Sequence, residues 1–347
     1  MLSTLPDPSL IARIPKVELH LHLEGAIPPA TLLRIINRKE RMSAEELAAR
    51  LAYTDFADFI ATWSWKNGFI DRAADFEEIA FAVLADLHGH NVLHVEAFYS
   101  PGDFARHGLA TEAITESLLQ GCRRAHDAFG IRCDLIVDLV RDHGPEVGRR
   151  RLDEVTPYLG EGLIGIGLGG SEQYFPADPY ASVFREAAAR GFRLTAHAGE
   201  VAGAASVRAA VELLGAERIG HGLRAFEDPG LVRLLAERRI PLEICPVSNL
   251  RTGAWPDLAS HPIRGYREAG VPVALCTDDP AMFGTSPSHE YAVLLEHLGF
   301  DLADLEAVSL GGVDASFLPE PEKARLRNRF ASAWAALRDE FSLTSLN

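Results

Sequence analysis

From residue 17 the chain alternates: Val17, Leu19, Leu21 and Leu23 are apolar, Glu18, His20, His22 and Glu24 are not, and Gly25 ends the run. A period of two predicts a strand that points His20 and His22 to the same face. Residues 28–72 read as helical, with breaks at Tyr53-Thr54 and around Asn67-Gly68, and no second strand is expected before Val92. Beyond it, apolar runs at 92–99, 132–140, 163–168, 192–196, 218–220, 241–244 and 271–277 alternate with helical stretches. Eight strand–helix units without an obvious linker predict an α/β fold, a closed (β/α)8 TIM barrel rather than an open sheet. Residues 1–347 then form one domain, with about 28–90 a helical insertion after the first strand that lies over the barrel mouth as a lid.

In such a barrel reactive groups collect where strands end. The expected ends carry His20 and His22, then the run from Gly167 through Gly169, Gly170 and Ser171 to Glu172, then His197-Ala198-Gly199-Glu200. Strand six ends in His221-Gly222 and strand eight in Thr277-Asp278-Asp279-Pro280. A purely structural barrel has little reason to concentrate polar groups there. His88-Gly89-His90 has the same histidine spacing but precedes strand two, so it reads as a helix end, with His88 favoured by the C-terminal dipole. His94, inside a strand, reads as a core histidine.

Three imidazoles (His20, His22, His197) and the Asp278 carboxylate form a donor set that suits zinc. Four protein ligands plus water predict a five-coordinate centre, with that water as the nucleophile. Asp279 leaves the strand at Pro280 and is free to address water or substrate. Glu200 could protonate a ring nitrogen if its pKa is raised. His221 suits orienting water and stabilising developing charge, or it only supports a ligand from behind. Gly169 and Gly170 let backbone approach a planar ligand closely.

The 347 residues are 47% hydrophobic with a net charge of -15 and no basic block, which disfavours a nucleic-acid partner. No run reaches membrane-spanning length and residues 1–14 carry no secretory pattern, so a cytoplasmic enzyme with no membrane partner is expected. Cys122, Cys133, Cys245 and Cys276 have no CxxC spacing and are expected to be reduced and buried.

The motifs HLHLEGA (20–26), YSP (99–101), HAGE (197–200), RIGHG (218–222), CPVSN (245–249) and TDDP (277–280) resemble the adenosine deaminase family of the amidohydrolase superfamily. The resemblance implies one zinc on a (β/α)8 barrel and hydrolytic replacement of a purine 6-amino group by oxygen, with release of ammonia. By it, His20, His22, His197 and Asp278 match the zinc ligands and Glu200 the proton donor to purine N1. His221 and Asp279 match the pair that positions and deprotonates the water, and Gly170 the backbone contact to N3. Binuclear relatives carry a bridging lysine or carboxylate at strand four, where this chain has Gly169-Gly170. The H-x-E with P-C-x-x-C class of zinc deaminase is also absent.

Substrate choice turns on departures from the pattern. Glu24 stands where adenosine-specific members usually carry an Asp that addresses the sugar, and free-adenine deaminases often place Glu there. Residues 56–69, with Phe59, Trp63 and Trp65, and residues 281–285 resemble bacterial members acting on nucleosides, among them aminodeoxyfutalosine deaminases. Phe56, Phe59 and Trp63 equally fit the core face of an amphipathic helix. The expectation is a zinc aminohydrolase of a 6-aminopurine nucleoside, with His22, Glu24, Gly170 and Asp279 at the substrate. Free adenine is the alternative, and a barrel that binds purines without catalysis is a further one.

Overall fold

The computed structural model describes residues 8–54 and 56–341; the N-terminal reading over 1–14 lies partly outside the described residues, as does the Phe56 side chain. Eight parallel strands follow one another around a barrel: β1 (Lys16–His22), β2 (Val92–Tyr99), β3 (Arg132–Val140), β4 (Leu163–Gly169), β5 (Arg193–Ala198), β6 (Arg218–His221), β7 (Leu242–Ile244) and β8 (Val273–Leu275). The ring closes where Asp278 N–H donates to the His20 carbonyl at 2.9 Å and His22 N–H to the Asp278 carbonyl at 3.0 Å. This is the (β/α)8 barrel anticipated from the alternation of elements.

Alternation in β1 sorts its side chains by face. Val17 and Leu19 share an outer apolar cluster with Leu318, Leu326 and Phe330 near the C-terminal helix Glu320–Glu340. Glu18, His20 and His22 take the opposite face, and Glu18 accepts a 2.8 Å hydrogen bond from the Thr277 hydroxyl. Below the histidines, Phe98, Ile136 and Phe317 fill the interior. The floor is ionic: buried Arg218 pairs with Glu96 and, at 2.5 Å, with Glu243, and its guanidinium lies 3.6 Å over the Phe317 ring. His94 is buried and bonds Glu96 at 3.0 Å, a core histidine as expected. His88 lies in the last turn of the helix Ala73–Gly89, stacked on Phe129.

Three strand ends differ from expectation in ways that matter at the site. β5 and β6 run on through His197 and His221, and β8 stops at Leu275 instead of 277. His221 (φ 60°) and Asp278 (φ 65°) adopt left-handed backbone conformations, which end the ladders there and turn their side chains. Among the described residues, four helices stand between β1 and β2: Pro29–Ile36, Ala44–Leu51, Phe56–Asn67 and Ala73–Gly89. The gap after Ile36 was not expected; the Asn37 side chain clips it by accepting from Met42 N–H and donating to Met42 O. A capping box between Ser43 and Glu46 then starts the next helix.

Candidate metal centre and active site

Four donors converge at the C-terminal mouth of the barrel. The Glu243 carboxylate accepts from His20 Nδ1 at 2.7 Å, which turns the lone pair of His20 Nε2 inward, where it has no hydrogen-bond partner. His22 Nε2 and His197 Nε2 lie 3.1 Å apart. Asp278 Oδ1 is 3.4 Å from His22 Nε2 and 3.7 Å from His20 Nε2, and its Oδ2 accepts from the Ser248 hydroxyl at 2.6 Å. Burial lowers the pKa of all three imidazoles, that of His22 to about 3, so their lone pairs are available at neutral pH. Facing imidazole nitrogens, an orphaned third and a carboxylate form a donor set that fits one zinc ion. Among the described residues, the four donors that all lie within 4.8 Å of one another are those of His20, His197, His221 and Asp278, with His221 in place of the expected His22. His22 Nε2 meets His197 at 3.1 Å and Asp278 at 3.4 Å, whereas His221 Nδ1 meets the Asn249 amide at 3.1 Å and its Nε2 lies 3.7 Å from Glu200 Oε2.

Around this cluster stand the proposed acid–base groups. Burial, reinforced by the negative charge of Glu172, lifts Glu200 to about 7. Asp279 is pushed well above the ordinary carboxylate range by burial and by Asp278, and its Oδ1 is buried without a partner. Gly25 makes room for it: a Cβ at that position would sit 1.7 Å from Asp279 Oδ1. Gly220, in the RIGHG motif, does the same for His20, whose ring would lie 2.7 Å from an added Cβ.

A cleft of about 360 Å³ opens over these groups and is lined by His22, His197, Glu200, His221, Asp278, Asp279 and Gly170. Phe59, Trp63 and Phe283 form one wall; Trp65 turns away, against Phe69 and under Arg50. Asp103, Asp138 and Asp142 also line it.

The adenosine deaminase family model matches residues 15–333. The chain belongs to the adenosine deaminase family. It is 33% identical to an adenine deaminase of Rhodospirillum rubrum over 94% of this chain and 98% of that one. To an aminodeoxyfutalosine deaminase of Acidothermus cellulolyticus it is 35% identical over 83% and 84%. Its fold superposes on a zinc-bound amidohydrolase from Burkholderia ambifaria with a TM-score of 0.92 at 29% identity, covering 99% of this chain and 97% of that one. Family membership and the His–Asp cluster make the protein a metal-dependent aminohydrolase holding one metal ion.

Of the residues expected to bind metal, move protons or meet substrate, all but two line the cleft. His20 lies beneath it, fully buried, and Glu24 lies behind Ser100, whose N–H it accepts at 2.9 Å through Oε1. Several roles were not anticipated. The Glu172 carboxylate accepts from the backbone N–H groups of Gly199, Glu200, Val201 and Ala202 and so holds the loop that carries Glu200. Arg141 donates to the carbonyls of Gly169 and His197, tying two strand ends together. Asp138 occupies space left by Gly169, where a Cβ would lie 2.3 Å from its Oδ2. The sequence signal for Asp138 was slight, one of two acids in the otherwise largely apolar run 132–140. All four cysteines are buried and unbridged, and among the described residues no helix is long and apolar enough to cross a membrane.

Proposed function

We propose that the protein hydrolytically deaminates an uncharged 6-aminopurine nucleoside. The observation that carries this reading is the convergence of three imidazoles and Asp278 at a cleft that also holds Glu200, His221 and Asp279, with burial lifting Glu200 to about 7. In it, His20, His22, His197 and Asp278 hold zinc, which when bound supplies the Lewis acidity that draws the pKa of a water toward neutrality. Asp279 takes a proton from the attacking water while His221 orients that water. Protonated Glu200 donates to ring N1, which makes C6 electrophilic. The C6–O bond forms, the C6–N bond breaks and ammonia leaves with the proton held by Asp279, while the remaining hydroxyl proton returns to Glu200 as the 6-oxo group forms. The Gly170 amide faces the purine edge, and the aromatic wall of Phe59 and Trp63 covers the base, with the helical insertion as lid.

Two buried carboxylate oxygens without partners, Glu24 Oε2 and Asp138 Oδ1, support a nucleoside. Both residues are raised to about 7, chiefly by burial, and Ser100 bonds each of them. Asp138 lines the cleft beside Ser100, with Glu24 behind it, so sugar hydroxyls can donate there, whereas a phosphate would enter among acceptor carboxylates at Asp103, Asp138 and Asp142. Free adenine is the second reading, favoured by the likeness to the adenine deaminase of R. rubrum.

Ammonia release by the zinc-loaded protein on adenine, adenosine, 5'-deoxyadenosine derivatives, aminodeoxyfutalosine and AMP is the test. A nucleoside is expected to have the highest kcat/KM, and AMP to be a poor substrate. Preference for adenine moves the protein to the free-base reading, and silence on every compound leaves a purine-binding barrel.

A further inference from the structure

His261 lies outside the cleft, in the turn before the helix Ile263–Glu268, and is 6% exposed. A line of hydrogen bonds runs from it to the reaction centre, and its direction is set at its far end. The backbone N–H of Ile263 points at His261 Nδ1 at 3.3 Å. A backbone N–H can only donate, so Nδ1 must accept, and the proton of the neutral ring is on Nε2. Burial keeps that ring neutral, with its pKa lowered to about 4. His261 Nε2 lies 3.2 Å from the Asn249 side chain. It therefore donates to Oδ1, which leaves the amide NH2 facing His221 Nδ1 at 3.1 Å. His221 Nδ1 accepts in turn, so its proton is on Nε2, the nitrogen 3.7 Å from Glu200 Oε2.

We infer that His261 is a positioning residue that acts through the Asn249 amide to hold the proton of His221 on Nε2, making His221 a hydrogen-bond donor to the reaction centre and not its base. The lone pair of Nδ1 is occupied, and Nε2 already carries its proton. To become an imidazolium the ring would need a second N–H at Nδ1, aimed at the donors of Asn249. Turning the amide over would face its NH2 toward His261 Nε2–H, and reversing His261 would set an N–H against that of Ile263. Proton abstraction falls instead to Asp279, whose Oδ1 is buried, unpartnered and in the same cleft. The catalytic part of this inference rests on the deaminase reading; the tautomer does not.

Imidazole 15N chemical shifts of zinc-loaded, 15N-histidine-labelled protein test it, with the His221 signals assigned by their loss in His221→Gln. At pH 7 wild type is expected to show His221 as the neutral Nε2–H tautomer. An Nδ1–H tautomer or an imidazolium there overturns the inference whatever the substrate proves to be. In Asn249→Asp both carboxylate oxygens accept, so the His221 proton is expected to move to Nδ1, and kcat to fall about 100-fold or more with KM changed far less. His261→Ala leaves the amide free to turn and is expected to give mixed tautomers and reduced kcat. His261→Gln, whose side-chain amide can still donate to Asn249 Oδ1, is expected to rescue both. Tautomers that follow these substitutions while no aminopurine is turned over would uphold the relay and reject the deaminase reading. An unmoved His221 tautomer in Asn249→Asp would reject the relay.

Discussion

Glu200 shows how far one side chain is made by its neighbours. A carboxyl near 4.5 could not hold a proton at neutral pH; burial and the nearby Glu172 charge lift it to about 7. The acid form is the active one, so kcat/KM is expected to fall as pH rises through about 7, with Glu200 protonated below that point and ionised above it. Glu200→Gln is isosteric but carries no transferable proton. It should retain one zinc per chain while kcat drops about 10²–10⁴-fold, measured as metal content and ammonia release on the same sample. The imidazoles and acids around Glu200 could be read from sequence because each sits in a short motif whose backbone geometry alone brings the group to a strand end. Asp138 and His261 could not. Their roles depend on a glycine of β4 and on an amide twelve residues away, and nothing beside them in the chain marks either relation.

At the scale of elements, the loop after β5 carries Glu200 but does not hold itself in place. Four of its backbone N–H groups converge on Glu172, an acid contributed by the loop after β4. Replacing Glu172 by Gln removes a negative charge that raises Glu200 and exchanges an acceptor-only group for one with donors that oppose those amides. The alkaline limb of the pH profile is expected to move to lower pH, and kcat to fall about 10²-fold from the displaced acid, both read from kcat and kcat/KM between pH 5 and 9. The helical insertion follows the same logic. Its helices were expected from composition, but the break after Ile36 depends on an Asn37 clip that closes only in the folded turn. Which aromatics face the cleft was equally hidden: Phe59 and Trp63 do, while Trp65, two residues on, packs under Arg50.

For the whole molecule, the metal cluster stands on an ionic floor. Arg218 lies between Glu96 and Glu243, all fully buried, and Glu243 in turn orients His20. Arg218→Met keeps comparable volume but strands two carboxylates in the barrel. A loss of about 3–5 kcal/mol is expected from the denaturant midpoint of unfolding. Because Glu243 would then be free to turn from His20, zinc affinity should fall in the same variant, read by competition with a chelator.

The order of elements, the parallel barrel and the cluster of strand-end histidines and acids were determined by the sequence alone. Period-two and helical patterns are local, and a parallel barrel converts strand ends into neighbours without further instruction. Tertiary structure decided everything that joins residues far apart in the chain. It turned His221 and Asp278 into left-handed geometry, set Glu243 behind His20, gathered four amides on Glu172, and linked Ile263 N–H to the His221 proton. Proton positions and raised pKa values come from burial and from partners met across the barrel, and neither exists until the chain has closed on itself.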